Sequence, residues 1–461
     1  MQYETKKVIM SFLKISLLII VLLMLITVPI YHETNSIVVG YYPSWLKEKL
    51  PAELIKFKNL THIIHAFAWP NADGSISFYD DFHYPKLIQL SHEAELKILV
   101  ALGGWGQSDG FYPMAANSIT RANFIKNITD FCLNYGYDGV DIDWEFPANV
   151  TDRNNLTLLV YELRQAFNDK APNLLITMAV PAGSWNGQWF DYSTLKNYVD
   201  WFGCMTYDFH GDWSDHAGHN SPLYAPPSDQ CGSVHDGIQY VNVTRKVPKD
   251  KILLGIPFYG RGFNATALYA PHTGSSEHIY SEILPLIGNG WTYHWDDVSK
   301  VPYLVNSTST KLISYDDTIS VRLKCEYAKE KNLAGVMIWA LGQDVIGYNQ
   351  PLLETVGKAM GLSTEAPLSP IEVPTTFALL NNYPNPFNES TIIPYYVATE
   401  ENIILEVFDI SGRQISILVK EQKPIGWYTA RFTAGDLPSG EYLYRLSASN
   451  FSETGKMLLV K

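Results

Sequence analysis

The most informative segment of the sequence is short and acidic, and it reads Asp138-Gly139-Val140-Asp141-Ile142-Asp143-Trp144-Glu145. Side chains alternate between the two faces of a β-strand, so Asp141, Asp143 and Glu145 share one face and the apolar residues between them share the other. The apolar face indicates a buried strand instead of a solvated acidic loop. Three neighbouring carboxylates on a buried strand repel one another, which indicates a functional site that uses or shares their charge.

Eight short apolar runs, the fourth of them in the acidic segment, alternate with amphipathic stretches such as Ala122–Asn134 and Leu156–Asn168. Alternating strands and helices predict a parallel sheet, and eight units predict an α/β fold of the (β/α)8 TIM-barrel type. A doubly wound sheet is the alternative, although no glycine-rich dinucleotide fingerprint follows any run. In a barrel the three carboxylates point inward at the C-terminal end of strand four, where barrel active sites lie. The predicted strands are Ile37–Tyr41, His62–Phe67, Lys97–Leu102, Gly139–Ile142, Leu175–Ala179, Trp201–Met205, Ile252–Ile256 and Gly335–Ile338.

The rest of the chain divides into distinct segments around a barrel domain expected at 37–361. Residues 263–313 are rich in Tyr and Trp and predict a small α+β insertion between strands seven and eight, forming one wall of a cleft. Three prolines within 363–376 indicate a linker. Alternating strand patterns across 377–461 predict a C-terminal antiparallel β-sandwich.

The N-terminus has the pattern of a targeting segment. Lys6, Lys7 and Lys14 precede the uncharged run Ile15–Ile30. A basic start followed by an apolar stretch is typical of an export signal, so residues 1–30 are predicted to be a signal peptide, with a retained signal anchor as the alternative. Either outcome places the following domains outside the cytoplasm.

Composition and charge narrow the classes of function. Hydrophobic residues make up 46% and charged residues 18% of the 461 positions, which excludes a mainly disordered chain. The 34 Lys and Arg against 47 Asp and Glu give a net charge of −13, which argues against a nucleic-acid partner. The 12 Trp, 29 Tyr and 20 Phe fit a carbohydrate-binding protein, because aromatic faces stack on sugar rings, and they fit large apolar cores equally well.

The sequence pattern predicts no metal site. No histidine neighbours the acidic segment, and its carboxylates lie along a line instead of around a point. His210 is expected to be a structural residue. The four cysteines lack zinc-binding spacing, and Cys204 with Cys231 is the one pair considered for a disulfide. The cysteines are Cys132, Cys204, Cys231 and Cys325.

The acidic segment resembles the D-G-x-D-x-D-W-E signature of glycoside hydrolase family 18, the chitinases and their relatives. Further matches to that family follow in the expected order through most of the chain from Val39 to Gln343. The inserted segment also resembles the branch of the family that has a deep, tunnel-like cleft. The matching pieces are Gly40–Tyr42, His65–Ala68, Leu102–Trp105, Met205–Gly211, Gly218–Leu223, Gly255–Arg261 and Gly335–Ala340.

The resemblance implies a retaining, substrate-assisted glycosidase, in which the N-acetyl oxygen of the sugar attacks the anomeric carbon. Glu145 matches the general acid and base of the family. Asp143 would accept the acetamide N–H, and Asp141 would share a proton with Asp143. Tyr207 would donate its hydroxyl to the acetamide oxygen.

The same resemblance implies a set of residues that line the substrate cleft. Trp339 would stack under the sugar at the reaction subsite. No cofactor and no metal are implied. The other matching cleft positions are Trp105, Tyr42, Phe67, Met205, Asp208, Tyr259, Arg261 and Gly104.

The C-terminal segment 377–461 resembles the type A sorting domain of the Bacteroidetes-type (type IX) secretion system. The resemblance lies in Asn382–Asn388, Leu437–Tyr442 and the basic end Lys456–Lys461. It implies a secreted or surface-attached protein whose partners are the secretion machinery and, through the barrel, chitin and chito-oligosaccharides. A monomer without a nucleic-acid partner is expected.

Three functions fit these observations. The first is a chitinase that cleaves β-1,4 links between N-acetylglucosamine units. The second is an endo-β-N-acetylglucosaminidase that acts on glycoproteins or peptidoglycan. The third is a non-catalytic chitin-binding lectin, and the presence of Glu145, Asp143 and Tyr207 favours an enzyme over it.

Overall fold

The computed structural model describes residues 36–79, 82–363 and 376–461. The predicted signal at 1–30 and nearly all of the predicted linker at 363–376 lie outside the described residues. Residues Ile37–Lys461 form one compact unit. Within the described ranges, every helix is too short or too polar to cross a membrane.

The strands of the described residues are numbered here in chain order. They are β1 (Ile37–Pro43), β2 (His62–Pro70), β3 (Ile76–Phe78), β4 (Lys97–Gly103), β5 (Gly139–Asp143), β6 (Leu175–Pro181), β7 (Trp201–Met205), β8 (Ile252–Pro257), β9 (Tyr259–Phe263), β10 (Ser275–Ile279), β11 (Trp291–Asp296), β12 (Val301–Asn306), β13 (Leu312–Ser314), β14 (Gly335–Trp339), β15 (Ala378–Leu379), β16 (Ser390–Val397), β17 (Glu401–Asp409), β18 (Gln414–Lys423), β19 (Gly426–Thr433), β20 (Gly440–Ala448) and β21 (Phe451–Leu459).

The α-helices of the same residues are numbered in the same way. They are α1 (Pro85–Glu93), α2 (Phe111–Ala116), α3 (Ser118–Tyr135), α4 (Val150–Lys170), α5 (Ser184–Gly187), α6 (Tyr192–Leu195), α7 (Val234–Gln239), α8 (Tyr280–Ile283), α9 (Thr318–Glu330) and α10 (Pro351–Ala359).

Eight parallel strands form the predicted closed barrel. Their order is β1-β14-β8-β7-β6-β5-β4-β2, and the pairing of β1 with β2 closes the ring. All eight predicted strands are present, so the (β/α)8 prediction is confirmed. Successive side chains along each strand point to opposite faces. Those that point inward form a small apolar cluster inside the barrel, and those that point outward form a larger apolar layer between the strands and the helices.

The connection from α3 to β5 shows how local sequence places the acidic segment. Asn117 caps the start of α3 by accepting hydrogen bonds from the backbone N–H groups of Ile119 and Thr120. Gly136, with φ of 80°, ends the helix in the left-handed conformation that suits glycine. Asp138 then accepts the backbone N–H of Ile98 on β4 at 2.8 Å, which fixes the register of the following strand.

The predicted insertion between the seventh and eighth barrel strands is a five-stranded antiparallel sheet ordered β10-β9-β13-β12-β11. It begins at Tyr259, four residues before the predicted boundary, because the chain runs almost directly from β8 into β9. The neighbouring strands β9 and β13 pair along Gly262 and Ile313. The insertion therefore places Tyr259 and Arg261 next to the C-terminal ends of the barrel strands.

The C-terminal region forms antiparallel sheets, as predicted. One has the order β15-β16-β19 and the other β18-β17-β20-β21, and they enclose their own apolar core. Ile392, Tyr396 and Trp427 instead belong to the apolar cluster of the barrel. An ion pair of 3.2 Å between Arg431 and Glu53 adds to this packing.

A buried ion pair supports the loop that follows β7. Lys324 Nζ donates to both carboxylate oxygens of Asp316, at 2.7 and 2.6 Å, and to Ser221 Oγ at 2.7 Å. Ser221 Oγ in turn donates to the carbonyl oxygen of Thr206 at 2.6 Å. Lys324 and Asp316 are almost fully buried, so each charge is stabilised chiefly by the opposite charge of its partner instead of by water.

We expect Asp316→Ala to lower the free energy of unfolding by about 3–5 kcal/mol, because it leaves the Lys324 ammonium buried without a counter-charge. Urea denaturation followed by circular dichroism measures the change. The double variant Asp316→Leu with Lys324→Met removes both charges and should recover most of the loss. A decrease below about 1 kcal/mol for the single variant would contradict the proposed dependence of one charge on the other.

Candidate active site

Asp141 is the deepest member of the carboxylate row and lies on β5 inside the barrel. Its two oxygens accept hydrogen bonds from Tyr41 Oη at 2.7 Å and from Thr177 Oγ1 at 2.6 Å. Burial raises the pKa of Asp141 to about 6, while the two donated hydrogen bonds act in the opposite direction. Tyr41 was not assigned to the site because its neighbour Tyr42 was taken from the same motif, and Thr177 lies on another strand with no motif around it.

Asp143 ends β5 and is buried like Asp141. Burial raises the pKa of Asp143 well above its usual range, and the charges of Glu145 and Asp141 raise it further. Its Oδ1 atom is buried and has no hydrogen-bond partner among the residues that the structure describes. A buried polar oxygen without a partner is costly, so this atom is available to a polar group of a ligand.

Glu145 follows the end of β5 and is half-buried. Burial raises the pKa of its carboxyl to about 7, and the charge of Asp208 raises it too. Its backbone N–H donates to Ser108 Oγ at 2.9 Å, and that hydroxyl also lies 3.3 Å from the carbonyl oxygen of Asp143. Ser108 thus fixes the backbone of the last two acidic residues. A carboxyl that titrates near neutrality can serve both as an acid and as a base.

Tyr207 lies just beyond β7 and faces the carboxylate row. Burial raises the pKa of its hydroxyl well above the usual value, and the charges of Asp143 and Glu145 contribute next. The hydroxyl therefore stays protonated, and in the described residues it contacts only the sulfur of Met337, at 3.9 Å. The edge of the ring packs against Tyr259, with ring centroids 6.0 Å apart. Tyr207 thus presents an O–H donor next to the acidic residues.

An ion pair borders this site. The Arg261 guanidinium donates to Asp208 Oδ1 from Nη2 at 2.7 Å and from Nε at 2.9 Å. The same guanidinium lies over the rings of Trp213 at 5.3 Å and Tyr259 at 5.7 Å. Asp208, with φ of 58°, adopts the left-handed conformation that is uncommon for residues other than glycine. The pair holds a negative charge near Glu145 and partly balances it.

An aromatic group forms the floor beside the carboxylates. Trp339, at the end of β14, stacks on Phe67 with centroids 5.7 Å apart and meets the edge of Tyr41 at 5.5 Å. Trp45, which is 53% exposed, stacks on Phe67 at 6.2 Å and lies 6.5 Å from Trp339, so the three rings form one cluster. A Cβ at Gly104 would lie 2.6 Å from the Phe67 ring, so only glycine permits this close approach. Sequence reasoning missed Trp45 because it lies in a short 3-10 turn after β1, outside any motif.

One predicted cleft residue is wrong. Tyr42 points out of the barrel, is fully buried, and donates its hydroxyl to the carbonyl oxygen of Leu50 at 2.7 Å. Its neighbour Tyr41 is the residue that faces the barrel interior and Asp141. Alternation along β1 would have distinguished the two tyrosines, since Val39 and Tyr41 must share a face.

The remaining predicted cleft residues lie at different depths. Trp105, in the loop after β4, is 80% exposed, whereas Met205 packs against the inner barrel cluster. The structure therefore gathers Asp141, Asp143, Glu145, Tyr207, Asp208, Tyr259, Arg261, Phe67, Gly104 and Trp339 around one end of the barrel.

The structure contradicts the disulfide that was considered, and it places His210 in a cluster that the sequence did not indicate. Cys204 and Cys231 are free thiols, the first buried in β7 and the second exposed, so the considered disulfide is absent. His210 does not stand alone. It lies with His216, Asp229 and Cys231 in a group of side chains able to hold a metal ion. These residues lie at irregular spacing in the long connection between β7 and α7, which explains why no motif revealed them.

Comparison with known proteins agrees with this geometry. Residues 37–344 match the model of glycosyl hydrolases family 18, and residues 381–461 match the secretion system C-terminal sorting domain. A protein from Caenorhabditis elegans named "Probable endochitinase" is 35% identical over 345 residues, covering 65% of this chain and 55% of its own length. The family model at residues 37–344 covers more than half of the chain, so the chain belongs to glycoside hydrolase family 18.

Solved structures give the same fold. The Group IV chitinase of Ostrinia furnacalis in complex with allosamidin has a TM-score of 0.66 and 30% identity, covering 71% of this chain and 99% of that one. Human YKL-39 is described as a pseudo-chitinase with retained chitooligosaccharide binding. It has a TM-score of 0.66 and 28% identity, and the match covers 71% of this chain and 100% of that one. The chain spans about half the length of the first curated relatives it matches.

The sorting domain indicates export, either into the medium or to the cell surface.

We expect the two partners of the bordering ion pair to shift the pKa of Glu145 in opposite directions. Asp208→Asn removes a negative charge and leaves Arg261 unbalanced, so the pKa of Glu145 should fall from about 7 by roughly one unit. Arg261→Ala leaves Asp208 unbalanced, so the pKa of Glu145 should rise. Titration of 13C-labelled glutamate by NMR measures both shifts, with the exposed Asp130→Asn as the matched control. Shifts of the same sign would contradict this account of the charges.

Proposed function

We propose that the chain is a chitinase, which hydrolyses β-1,4-N-acetylglucosamine links by a retaining, substrate-assisted mechanism. The observation that carries the proposal is the row Asp141, Asp143 and Glu145, whose outermost carboxyl has a pKa of about 7 and lies near the Tyr207 hydroxyl. A carboxyl that is protonated up to neutrality can give its proton to a leaving glycosidic oxygen. The aromatic floor around Trp339 offers a face on which a sugar ring stacks.

In the first step, Glu145 donates its proton to the glycosidic oxygen as the bond from that oxygen to the anomeric carbon breaks. The acetamide oxygen of the same sugar forms a new bond to the anomeric carbon and closes a cyclic oxazolinium ion. The unpartnered Oδ1 of Asp143 accepts the acetamide N–H, which orients the group and balances the positive charge. Tyr207 donates its hydroxyl to the acetamide oxygen and positions it.

In the second step, the Glu145 carboxylate accepts a proton from water as the water oxygen bonds to the anomeric carbon. The bond between that carbon and the acetamide oxygen breaks, which restores the N-acetyl group. Each step inverts the configuration at the anomeric carbon, so the two steps together retain it. Asp141, held by Tyr41 and Thr177, stays in place and keeps the pKa of Asp143 high, so that a proton is shared within the row.

Geometry favours this scheme over one with Asp143 as the nucleophile. Asp143 and Glu145 come from one strand and approach the sugar from one side, whereas a nucleophile must lie opposite the departing oxygen. An attacking group supplied by the sugar avoids this difficulty. The same reasoning restricts the substrate to glycans with an N-acetyl group on the sugar that precedes the scissile bond.

The intact row also favours an enzyme over a lectin. The human relative described as a pseudo-chitinase indicates that this fold can bind chito-oligosaccharides without being an enzyme. In the present chain Glu145, Asp143 and Tyr207 are all in place, and the raised pKa of Glu145 suits proton transfer. Analysis of products from colloidal chitin and from a high-mannose glycopeptide separates the chitinase from an endo-β-N-acetylglucosaminidase.

The proposed protein acts outside the cytoplasm as a monomer. Its partners are chitin and chito-oligosaccharides at the barrel and the secretion machinery at the sorting domain. The N-terminal signal at 1–30 would direct export across the inner membrane. The sandwich at 377–461 would then direct the protein to the secretion machinery. The support for this arrangement is the match of residues 381–461 to the sorting-domain model.

We expect Glu145→Gln to retain the fold and to lower kcat on a soluble chito-oligosaccharide by at least about 10²-fold, because an amide cannot donate the proton. Binding of the oligosaccharide, measured by calorimetry, should persist. The exposed Glu93→Gln serves as the matched control and should keep full activity. A decrease of less than tenfold would rule out Glu145 as the general acid.

We expect cleavage to require the acetamido group itself. A fully de-N-acetylated oligosaccharide of the same length should be cleaved at least about 10²-fold more slowly than the acetylated one, since it lacks the attacking oxygen. Mass spectrometry of the products measures both rates. Equal rates, or a covalent ester trapped on Asp143 with a fluorinated sugar, would show a protein nucleophile instead.

A further inference from the structure

A second cluster of reactive side chains lies away from the carboxylate row. The loop after β7 supplies His210 and His216, and the segment before α7 supplies Asp229 and Cys231. One donor atom from each residue lies within 4.8 Å of the other three. The proposed hydrolysis uses none of the four, and this inference does not depend on it.

The hydrogen bonds of the two histidines fix where their protons are. His210 Nδ1 lies 2.9 Å from the carbonyl oxygen of His219, and His216 Nδ1 lies 2.5 Å from Oδ1 of Asp215. Both partners only accept, so each Nδ1 carries a hydrogen and donates it. In the neutral rings each Nε2 therefore presents a lone pair. Outer acceptors of this kind are the usual arrangement behind metal-binding histidines.

The two lone pairs point at each other and at a carboxylate. The Nε2 atoms of His210 and His216 are 3.1 Å apart, and Asp229 Oδ1 lies 3.4 and 3.6 Å from them. Three electron-rich atoms so close repel one another unless a metal cation or a proton lies between them. A tetrahedral zinc ion with bonds of about 2.05 Å to nitrogen separates neighbouring ligand atoms by about 3.3 Å, which matches these distances.

Asp229 and Cys231 supply the third and fourth donors of the set. Asp229 is only 5% exposed, and its Oδ2 is buried without a partner, while its Oδ1 accepts the backbone N–H of Cys231 at 2.9 Å. Cys231 is the one exposed thiol among the four cysteines, all of which lie in described residues. An exposed free thiol is vulnerable to oxidation in an exported protein, and metal coordination removes that liability.

We propose that His210, His216, Asp229 and Cys231 form a structural zinc site. Imidazole nitrogen and thiolate sulfur are donors that suit zinc and are poor ligands for calcium or magnesium. Four protein ligands leave no open position, as in structural instead of catalytic zinc sites. His210 is two residues from Asp208, so the ion would anchor the loop that carries Tyr207 and Asp208 to the segment before α7.

The alternative is a network without metal, in which one imidazole is protonated and bridges the other ring and Asp229. That network leaves the thiol of Cys231 uninvolved. The two arrangements therefore differ in whether zinc binds and in whether Cys231 contributes. His216 and Cys231 are the useful positions for substitution, because both are partly accessible and their replacement leaves the buried His210 in place.

The experiment uses the untagged full chain after treatment with a chelator. Zinc titration against a competing chelator should give one ion per chain, and Cys231→Ser and His216→Ala should each weaken binding at least tenfold. Zinc should raise the melting temperature of the parent chain more than that of either variant. Cobalt substitution should give a tetrahedral spectrum with a thiolate charge-transfer band, and Cys231→Ser should abolish that band. His92→Ala, an exposed histidine on α1, is the control and should bind zinc like the parent.

Three outcomes would overturn the assignment. One is the absence of stoichiometric zinc binding by the parent chain. Another is binding that keeps full affinity in Cys231→Ser or in His216→Ala, which would place the ion elsewhere. The last is a cobalt spectrum without the thiolate band, which would remove Cys231 from the ligand set. Since all three readouts are independent of hydrolysis, failure here leaves the proposed function untouched.

Discussion

The arrangement of this protein depends on one costly feature, the burial of three acidic side chains in a row at the end of one barrel strand. Burial raises the pKa of each carboxyl, and nearby charges raise the pKa of Asp143 and Glu145 further. The innermost, Asp141, is stabilised by two donated hydrogen bonds, whereas Oδ1 of the central Asp143 is left without a partner. The inner end of the row is therefore satisfied within the protein, whereas its central carboxyl is open to a polar group of a ligand.

The residues around the row fix its backbone and set the charge near its outer end. Ser108 fixes the backbone between Asp143 and Glu145, and the pair of Asp208 and Arg261 sets the charge near Glu145. The insertion contributes Arg261, and the loop after β7 contributes Tyr207 and Asp208. The buried pair of Lys324 and Asp316 and the proposed zinc ligands both act on that loop. The catalytic geometry is thus maintained from two sides of one loop instead of by the barrel alone.

The sequence predicted the features that repeat or alternate, and it missed those that depend on contacts between distant residues. Alternation on one strand placed Asp141, Asp143 and Glu145 together, and eight strand-helix units indicated the barrel. Tyr42 was assigned to the cleft because a motif was read without that alternation. Thr177, Ser108 and Trp45 reach the site through the closure of the barrel and through loops. The grouping of His216, Asp229 and Cys231 likewise depends on loop conformation, which no spacing rule in the sequence records.

The central claim is that the sugar supplies the attacking oxygen and that Asp143 and Tyr207 stabilise the resulting oxazolinium ion. The most direct measurement is the inhibition constant of a thiazoline analogue of that ion, compared with the constant for free N-acetylglucosamine. The account predicts competitive inhibition at least about 10²-fold tighter than that by the sugar, because the analogue resembles a species formed only during the reaction. Equal inhibition by the two compounds would contradict the account.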